Sequence, residues 1–109
     1  MDINRITITG YAVDAPDFKA VESRTGGTLA KVTFRIGCTM SKDKSIFVQV
    51  TSFGDTAAKI GTHIVKGKRI GVDGKLNISS WKDDTGAWKY YTEVIAERIV
   101  FLDKKGDYE

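Results

Sequence analysis

Alternation of apolar and polar residues dominates the chain. Ile6 and Ile8 alternate with Arg5, Thr7 and Thr9, the pattern of a strand with one buried face. Gly10 follows, at a point suited to a bend or a close backbone approach. Val13-Asp14-Ala15-Pro16 reads as a turn and residues 17–22 as a short second strand. Arg24-Thr25-Gly26-Gly27-Thr28 is the strongest turn signal of the first half. The clearest strand comes next. Ala30, Val32, Phe34, Ile36 and Cys38 alternate with Lys31, Thr33, Arg35, Gly37 and Thr39. Successive side chains point to opposite faces, so the first set is core and the second a polar, basic face. A solvated loop, Ser41 to Ser45, leads to a strand from about Ile46 to Ser52. There Val48, Val50 and Ser52 share one parity, and Phe47, Gln49, Thr51 and Phe53 the other.

Residues 55–65 break the alternation. Asp55 or Thr56 can cap a helix start, Ala57, Ile60 and Ile64 fall on one helical face, and Gly67 stands where such a helix stops. The helix is short and needs tertiary packing. Alternation then returns: Ile70, Val72, Gly74, Leu76 and Ile78 share a parity against Arg69, Gly71, Asp73, Lys75 and Asn77. Residues 81–88 form a hairpin tip with polar turn residues between Trp81 and Trp88. A last strand runs from about Lys89 to Glu97, extended by residues 98–102.

Five major strands with one short helix between the third and fourth match an all-β, five-stranded Greek-key barrel of the oligonucleotide/oligosaccharide-binding (OB) type. Alternation alone also allows another small barrel, such as an SH3-like one. The 109 residues fit one domain. It is expected at residues 1–103, with a short polar tail at 104–109. A domain this small gains from oligomerisation.

Charge shifts the picture only mildly. Seventeen Lys and Arg against fourteen Asp and Glu give a net charge of +3, a lean toward polyanions. The single cysteine, Cys38, excludes an intramolecular disulfide and suits a reducing compartment. No apolar signal core opens the chain, and no run reaches the roughly 18 apolar residues that span a bilayer. A cytoplasmic protein without membrane contact is expected.

A binder of unpaired strands needs cations that follow phosphates and aromatic faces on which bases lie. Because Val48 and Val50 claim the core parity, Phe47 and Phe53 point outward beside polar Gln49 and Thr51. Base stacking explains two phenylalanines on a wet face; packing against a partner subunit is the competing explanation. Trp81, beside Lys82, can be a stacking platform, or can pair with Trp88 across the hairpin. Tyr90 and Tyr91 lie on opposite faces. Lys31 and Arg35 share the outer parity of their strand, and Arg5, Lys66, Lys68, Arg69, Lys75, Lys82 and Lys89 can add to a basic track.

No catalytic set, metal site or cofactor motif stands out. His63 is the only histidine and has no cysteine cluster beside it, so zinc ligation is not expected. Cys38 has core parity. Asp83-Asp84 reads as a solvated turn, and Gly67-Lys68 and Gly26-Gly27 lack phosphate-loop spacing.

Several stretches together resemble a known family. They are residues 4–10 (Asn4-Arg5-Ile6-Thr7-Ile8-Thr9-Gly10), Phe53-Gly54, Lys66-Gly67, Asp73-Gly74-Lys75-Leu76, residues 81–86 and Tyr90-Tyr91-Thr92-Glu93-Val94. In this order and spacing the chain resembles the bacterial and bacteriophage single-stranded-DNA-binding protein family, from residue 3 to about 102. The resemblance implies an OB fold, usually a homotetramer although a dimer is open, that wraps single-stranded DNA. By the same resemblance Phe47 stands where the family commonly has a stacking tryptophan. Phe53 matches a stacking phenylalanine, Trp81 a stacking tryptophan on the long hairpin, and Tyr90 a family tyrosine. Asn77, Ser79 and Ser80 stand where well-known members carry basic residues, and His63 and Val48 depart at positions often near subunit contacts. Most bacterial members also have a long tail ending in an acidic segment that recruits repair proteins. No such tail is visible here, and the sole proline is Pro16.

The expectation is therefore a sequence-independent single-strand binder serving replication, recombination or repair. The rival is an OB-fold interaction factor of the primosomal type. The set Phe47, Phe53 and Trp81 separates the two, because an interaction module has no need of them on one open face.

Overall fold

Each alternating run becomes a strand in the computed structural model, which describes residues 1–102; the tail expected at 104–109 lies outside them. The strands are β1 (Ile6–Ala12), β2 (Asp17–Glu22), β3 (Thr28–Ser41), β4 (Lys44–Phe53), β5 (Arg69–Lys82) and β6 (Trp88–Phe101). One helix, α1 (Gly54–Ile60), and a 3-10 turn (Gly61–His63) lie between β4 and β5.

Five of the strands close a ring. β1 pairs with β5, β5 with β6, β6 in parallel with β4, β4 with β3, and β3 returns to β1 at Tyr11↔Gly37 and Ala12↔Ile36. This is the expected OB-type barrel, with the helix between its third and fourth strands. β2 stands outside the ring. It runs along the edge of β3 that β1 has just left, from Asp17↔Thr33 to Glu22↔Thr28. β1 and β2 thus act as one interrupted strand. The Val13 amide still donates to the Arg35 carbonyl at 3.0 Å, and Pro16, which has no N–H, falls in the gap.

Most of the core comes from the set that alternation assigned to the inner face, joined by Val94 of β6. Val32, Phe34, Ile36, Val50, Ile70, Val72 and Val94 are all buried. Burying each such side chain is worth about 1.5–3 kcal/mol. Ala57 and Ile64 from the helical segment pack against them. Gly10 is indeed a close approach: a Cβ there would lie 2.5 Å from the Gly37 carbonyl oxygen.

The helix differs from expectation. It starts at Gly54 rather than after Asp55 or Thr56, and α-helical geometry ends at Ile60. The chain leaves β4 directly into the helix. Phe53, whose extended backbone (φ −124°, ψ 156°) has N-cap geometry, therefore takes that position without a side-chain cap bond. Gly67 lies beyond the helical segment and serves a turn instead, its amide donating to the Ala12 carbonyl at 2.8 Å. Among the described residues no helix is long and apolar enough to cross a membrane.

Candidate nucleic-acid interface

Cross-strand neighbours share a face, so the register assigns every outward side chain. On the outer surface of β3 and β4 the pairs are Lys31↔Phe53, Thr33↔Thr51, Arg35↔Gln49 and Gly37↔Phe47. Phe47 is 58% exposed and Phe53 38%. The Lys31 Nζ sits 5.9 Å from the centre of the Phe53 ring. Parallel pairing at Thr51↔Ile95 carries this surface onto β6, and the β5–β6 ladder carries it on through Asn77↔Glu93, Ser79↔Tyr91 and Trp81↔Lys89. Phe47, Phe53 and Trp81 (48% exposed) therefore lie on one continuous surface, with Tyr91 between the strands that hold them.

That surface is not uniformly wet. Thr51, expected to be exposed, is 1% exposed. Its hydroxyl donates to Glu93 Oε1, and Asn77 Nδ2 donates to Glu93 Oε2 at 3.1 Å. A carboxylate bound through both oxygens thus occupies the centre of the surface and covers Thr51. Partial burial, reinforced by the Glu93 charge, raises the pKa of the neighbouring Tyr91 phenol. Tyr91 and Glu93 are two residues apart on β6 and so share its outer face. Their position over Thr51 follows only from the parallel contact of β4 with β6.

Tyr90 is not brought to this surface. It pairs with Ser80 on the reverse face of the hairpin, where Lys82 pairs with Trp88. The two tryptophans do not pair across the hairpin as one reading of the sequence allowed. Lys82↔Trp88 is the last pair before the turn, which sets Trp81 against Lys89, and Lys82 Nζ lies 5.3 Å from the Trp88 ring centre. The turn itself is built by Asp83. Its Oδ1 accepts from the backbone N–H of Thr85 (2.9 Å) and Ala87 (3.0 Å) and from the Thr85 hydroxyl (2.6 Å). These bonds to the charged form, the Thr85 hydroxyl first, hold the Asp83 carboxyl below the usual range. Leu76 and Ile78 share the core parity yet are exposed with Trp88 and Tyr90, because the hairpin projects past the barrel.

Several of the expected cations are already paired. Arg35 donates from Nε and Nη2 to Asp14 Oδ2 at 3.1 and 2.9 Å. Arg5 donates to Asp73 at 2.8 Å and Glu97 at 2.5 Å, on the β1–β5–β6 side of the barrel rather than beside Phe47. Lys89 Nζ lies 3.8 Å from Asp83. These are solvent-exposed pairs of the kind worth about 0–1 kcal/mol, so a phosphate can compete for the cation. Lys31 and Lys75 lie on the outer surface itself. Lys66 and Lys68 lie in the loop before β5, with Lys68 Nζ 5.6 Å from the Phe101 ring centre, and Arg69 opens β5 opposite Tyr11. Tyr11 is an aromatic residue of this surface that the sequence reading passed over. Lying next to Gly10, it carried no signal beyond its parity.

Exposed rings on one surface, flanked by lysines, can hold planar rings by stacking and an anionic backbone by charge. Residues 3–102 match the model of the single-strand binding protein family. Similar chains include single-stranded DNA-binding protein 1 of Clostridium acetobutylicum, 32% identical over 107 residues that cover 94% of this chain and 96% of that one. The single-stranded DNA-binding protein of Clostridium perfringens is 26% identical, over 93% of this chain and 67% of its own. Single-stranded DNA-binding protein 1 of Staphylococcus aureus is 28% identical, over 94% and 67%.

Proposed function

The chain belongs to the single-strand binding protein family, and from that premise we propose that it binds and protects single-stranded DNA without sequence preference, in replication, recombination or repair. Bases stack on Phe47, Phe53 and Trp81. Phosphates follow Lys31, Lys75 and the cations around them: Arg35, Lys66, Lys68, Arg69, Lys82, Lys89 and, at the far side, Arg5. Residues 1–103 act as the binding domain. Tyr90, on the reverse face with Trp88, meets a strand that passes around the hairpin tip. The chain works as a homo-oligomer, a tetramer by analogy with the family. The observation that carries the reading is the single outer surface on which the register sets all three rings.

The test is a titration with oligo-dT, followed by tryptophan fluorescence at low and high salt. Saturable quenching that weakens with salt is expected. With about five phosphates neutralised, log K falls against log salt with a slope near −3.5. Trp81→Ala and Phe53→Ala each weaken binding by about 1–3 kcal/mol. Unchanged affinity in both variants would sink the stacking model. The reverse face, with Leu76, Ile78, Trp88 and Tyr90 exposed, favours a second reading as an interaction factor. That reading gains if neither quenching nor binding of labelled DNA is seen.

Glu93 tests the path of the strand. Glutamine keeps an acceptor for the Thr51 hydroxyl but removes the charge from the middle of the surface. Glu93→Gln is expected to tighten binding about two- to fivefold at low ionic strength, with the gain shrinking as salt screens it. No gain at any salt concentration would mean that phosphates do not approach the β4–β6 junction.

A further inference from the structure

Gly37 stands between two aromatic residues on the outer surface. On one side it pairs with Phe47 of β4, and on the other with Tyr11 of β1. A Cβ at Gly37 would lie 3.0 Å from Tyr11 Cζ and 3.2 Å from Cε2 and Oη. The tyrosine ring therefore leans across the strand and occupies the space that any side chain at Gly37 would fill. Gly37 is not among the glycines with positive φ, so its backbone does not demand glycine. Glycine in a strand interior weakens the strand and often marks the close approach of another group. Here that group is the Tyr11 ring.

The placement of Tyr11 is not that of a core residue. Its neighbours Gly10 and Ala12 face inward, opposite Ile70 and Ile36, which sets Tyr11 on the outer parity, half-buried. Tyr11 and Phe47 start two strand spacings apart, about 10 Å. The ring leaning over Gly37 shortens that gap from the β1 side. On its other flank Tyr11 pairs with Arg69 of β5.

We propose that Tyr11, seated on Gly37 beside Phe47, is a further stacking residue for the DNA strand, extending the aromatic surface from β4 across β3 to β1. This rests on the single-strand-binding reading above. The strand then continues past Phe47 toward Tyr11 and Arg69 rather than ending at the β3–β4 hairpin. A tyrosine that merely shields the Gly37 backbone would sit in the same place, so the experiment has to separate the two roles.

The test combines oligo-dT affinity, by anisotropy of a labelled strand, with photocross-linking of the wild-type protein to an iodouracil-substituted strand and mapping of the linked residues. Tyr11→Ala is expected to weaken binding roughly 5- to 150-fold, the range for one base stacked on an aromatic ring. Tyr11→Phe, which keeps the ring, is expected to retain affinity. Gly37→Val pushes the ring off its seat and is expected to weaken binding as Tyr11→Ala does. A cross-link at Tyr11 is expected in the wild type. Wild-type affinity in Tyr11→Ala, with Phe53→Ala weakened, would overturn the role of Tyr11 and leave the wider reading standing. Wild-type affinity in both would overturn the wider reading itself. Should Tyr11→Ala melt before it can be titrated, the cross-link decides: links at Phe47 or Trp81 with none at Tyr11 would refute the proposal.

Discussion

Replacing Phe53 and Trp81 together by alanine is expected to weaken oligo-dT binding by about 2–6 kcal/mol, roughly 30-fold to more than 10⁴-fold. The two rings should act independently. Phe53 lies two residues beyond Thr51 on β4, and Trp81 pairs with Lys89, six residues before Ile95, the parallel partner of Thr51. That separation amounts to about 25 Å along the strands, well past the roughly 7–10 Å within which substitutions couple. Both rings are substantially exposed, so the fold should survive, with a change in stability near ±0.5 kcal/mol. Neither substitution alters a charge, so the slope of log K against log salt should stay as it is while the intercept falls. Anisotropy of a labelled strand is the appropriate measurement, because the double variant loses the Trp81 signal. A double variant no weaker than the weaker single variant would mean that the two rings do not contact the same bound strand at once. A reduced salt slope would mean that the rings position cations rather than stack bases.

How far the sequence could anticipate this surface depended on the range of the interaction. Phe47 and Phe53 were legible because one apolar set on β4 claims the barrel interior, which leaves only one face for the other parity. That Trp81 shares their surface was expected from the stacking set as a whole, but parity within β5 alone does not show it. It depends on the parallel contact at Thr51↔Ile95 and on the unbroken ladder from Lys75↔Ile95 to Trp81↔Lys89. The burial of Thr51 under Glu93 and the pairing of Arg35 with Asp14 were hidden for the same reason, since their partners lie 42 and 21 residues away. Leu76 and Ile78 show the limit of parity itself. Alternation says which way a side chain points, but not whether the barrel is still beneath it. Tyr11 was missed because its seat, Gly37, is reached only where β3 closes the ring onto β1. The early helix start at Gly54 escaped because Phe53 caps through its backbone, with no polar side chain to announce it.

Gly74→Ala is expected to destabilise the fold by about 3–5 kcal/mol and to lower the melting temperature by roughly 15–30 °C. A Cβ at Gly74 would stand 2.0 Å from the Ile95 carbonyl oxygen, 2.9 Å from its carbon and 3.0 Å from the Ala96 Cα. All three are backbone atoms of β6, so no side-chain rotation relieves the clash, and the β5–β6 ladder has to open. The position is buried and lies at the bulge, where Glu97 is the extra residue on β6. Bulges bend a strand and increase its twist, and this one falls where β5 and β6 leave the barrel for the projecting hairpin. Gly71→Ala is the control. It lies on the same strand, but its nearest neighbours are 3.7 Å away, so thermal melting should show little change or a slight gain from reduced unfolded-state freedom. Equal melting temperatures for the two variants would show that the close approach at Gly74 does not constrain the fold. The variant also has a consequence for binding. The ladder can relieve the clash by slipping one residue, and a one-residue slip turns every later side chain to the opposite face. Trp81 would then leave the surface that carries Phe47 and Phe53. Any Gly74→Ala protein that remains folded should therefore bind oligo-dT as weakly as Trp81→Ala. If it is folded and binds like the wild type, the bulge does not set the face on which Trp81 emerges.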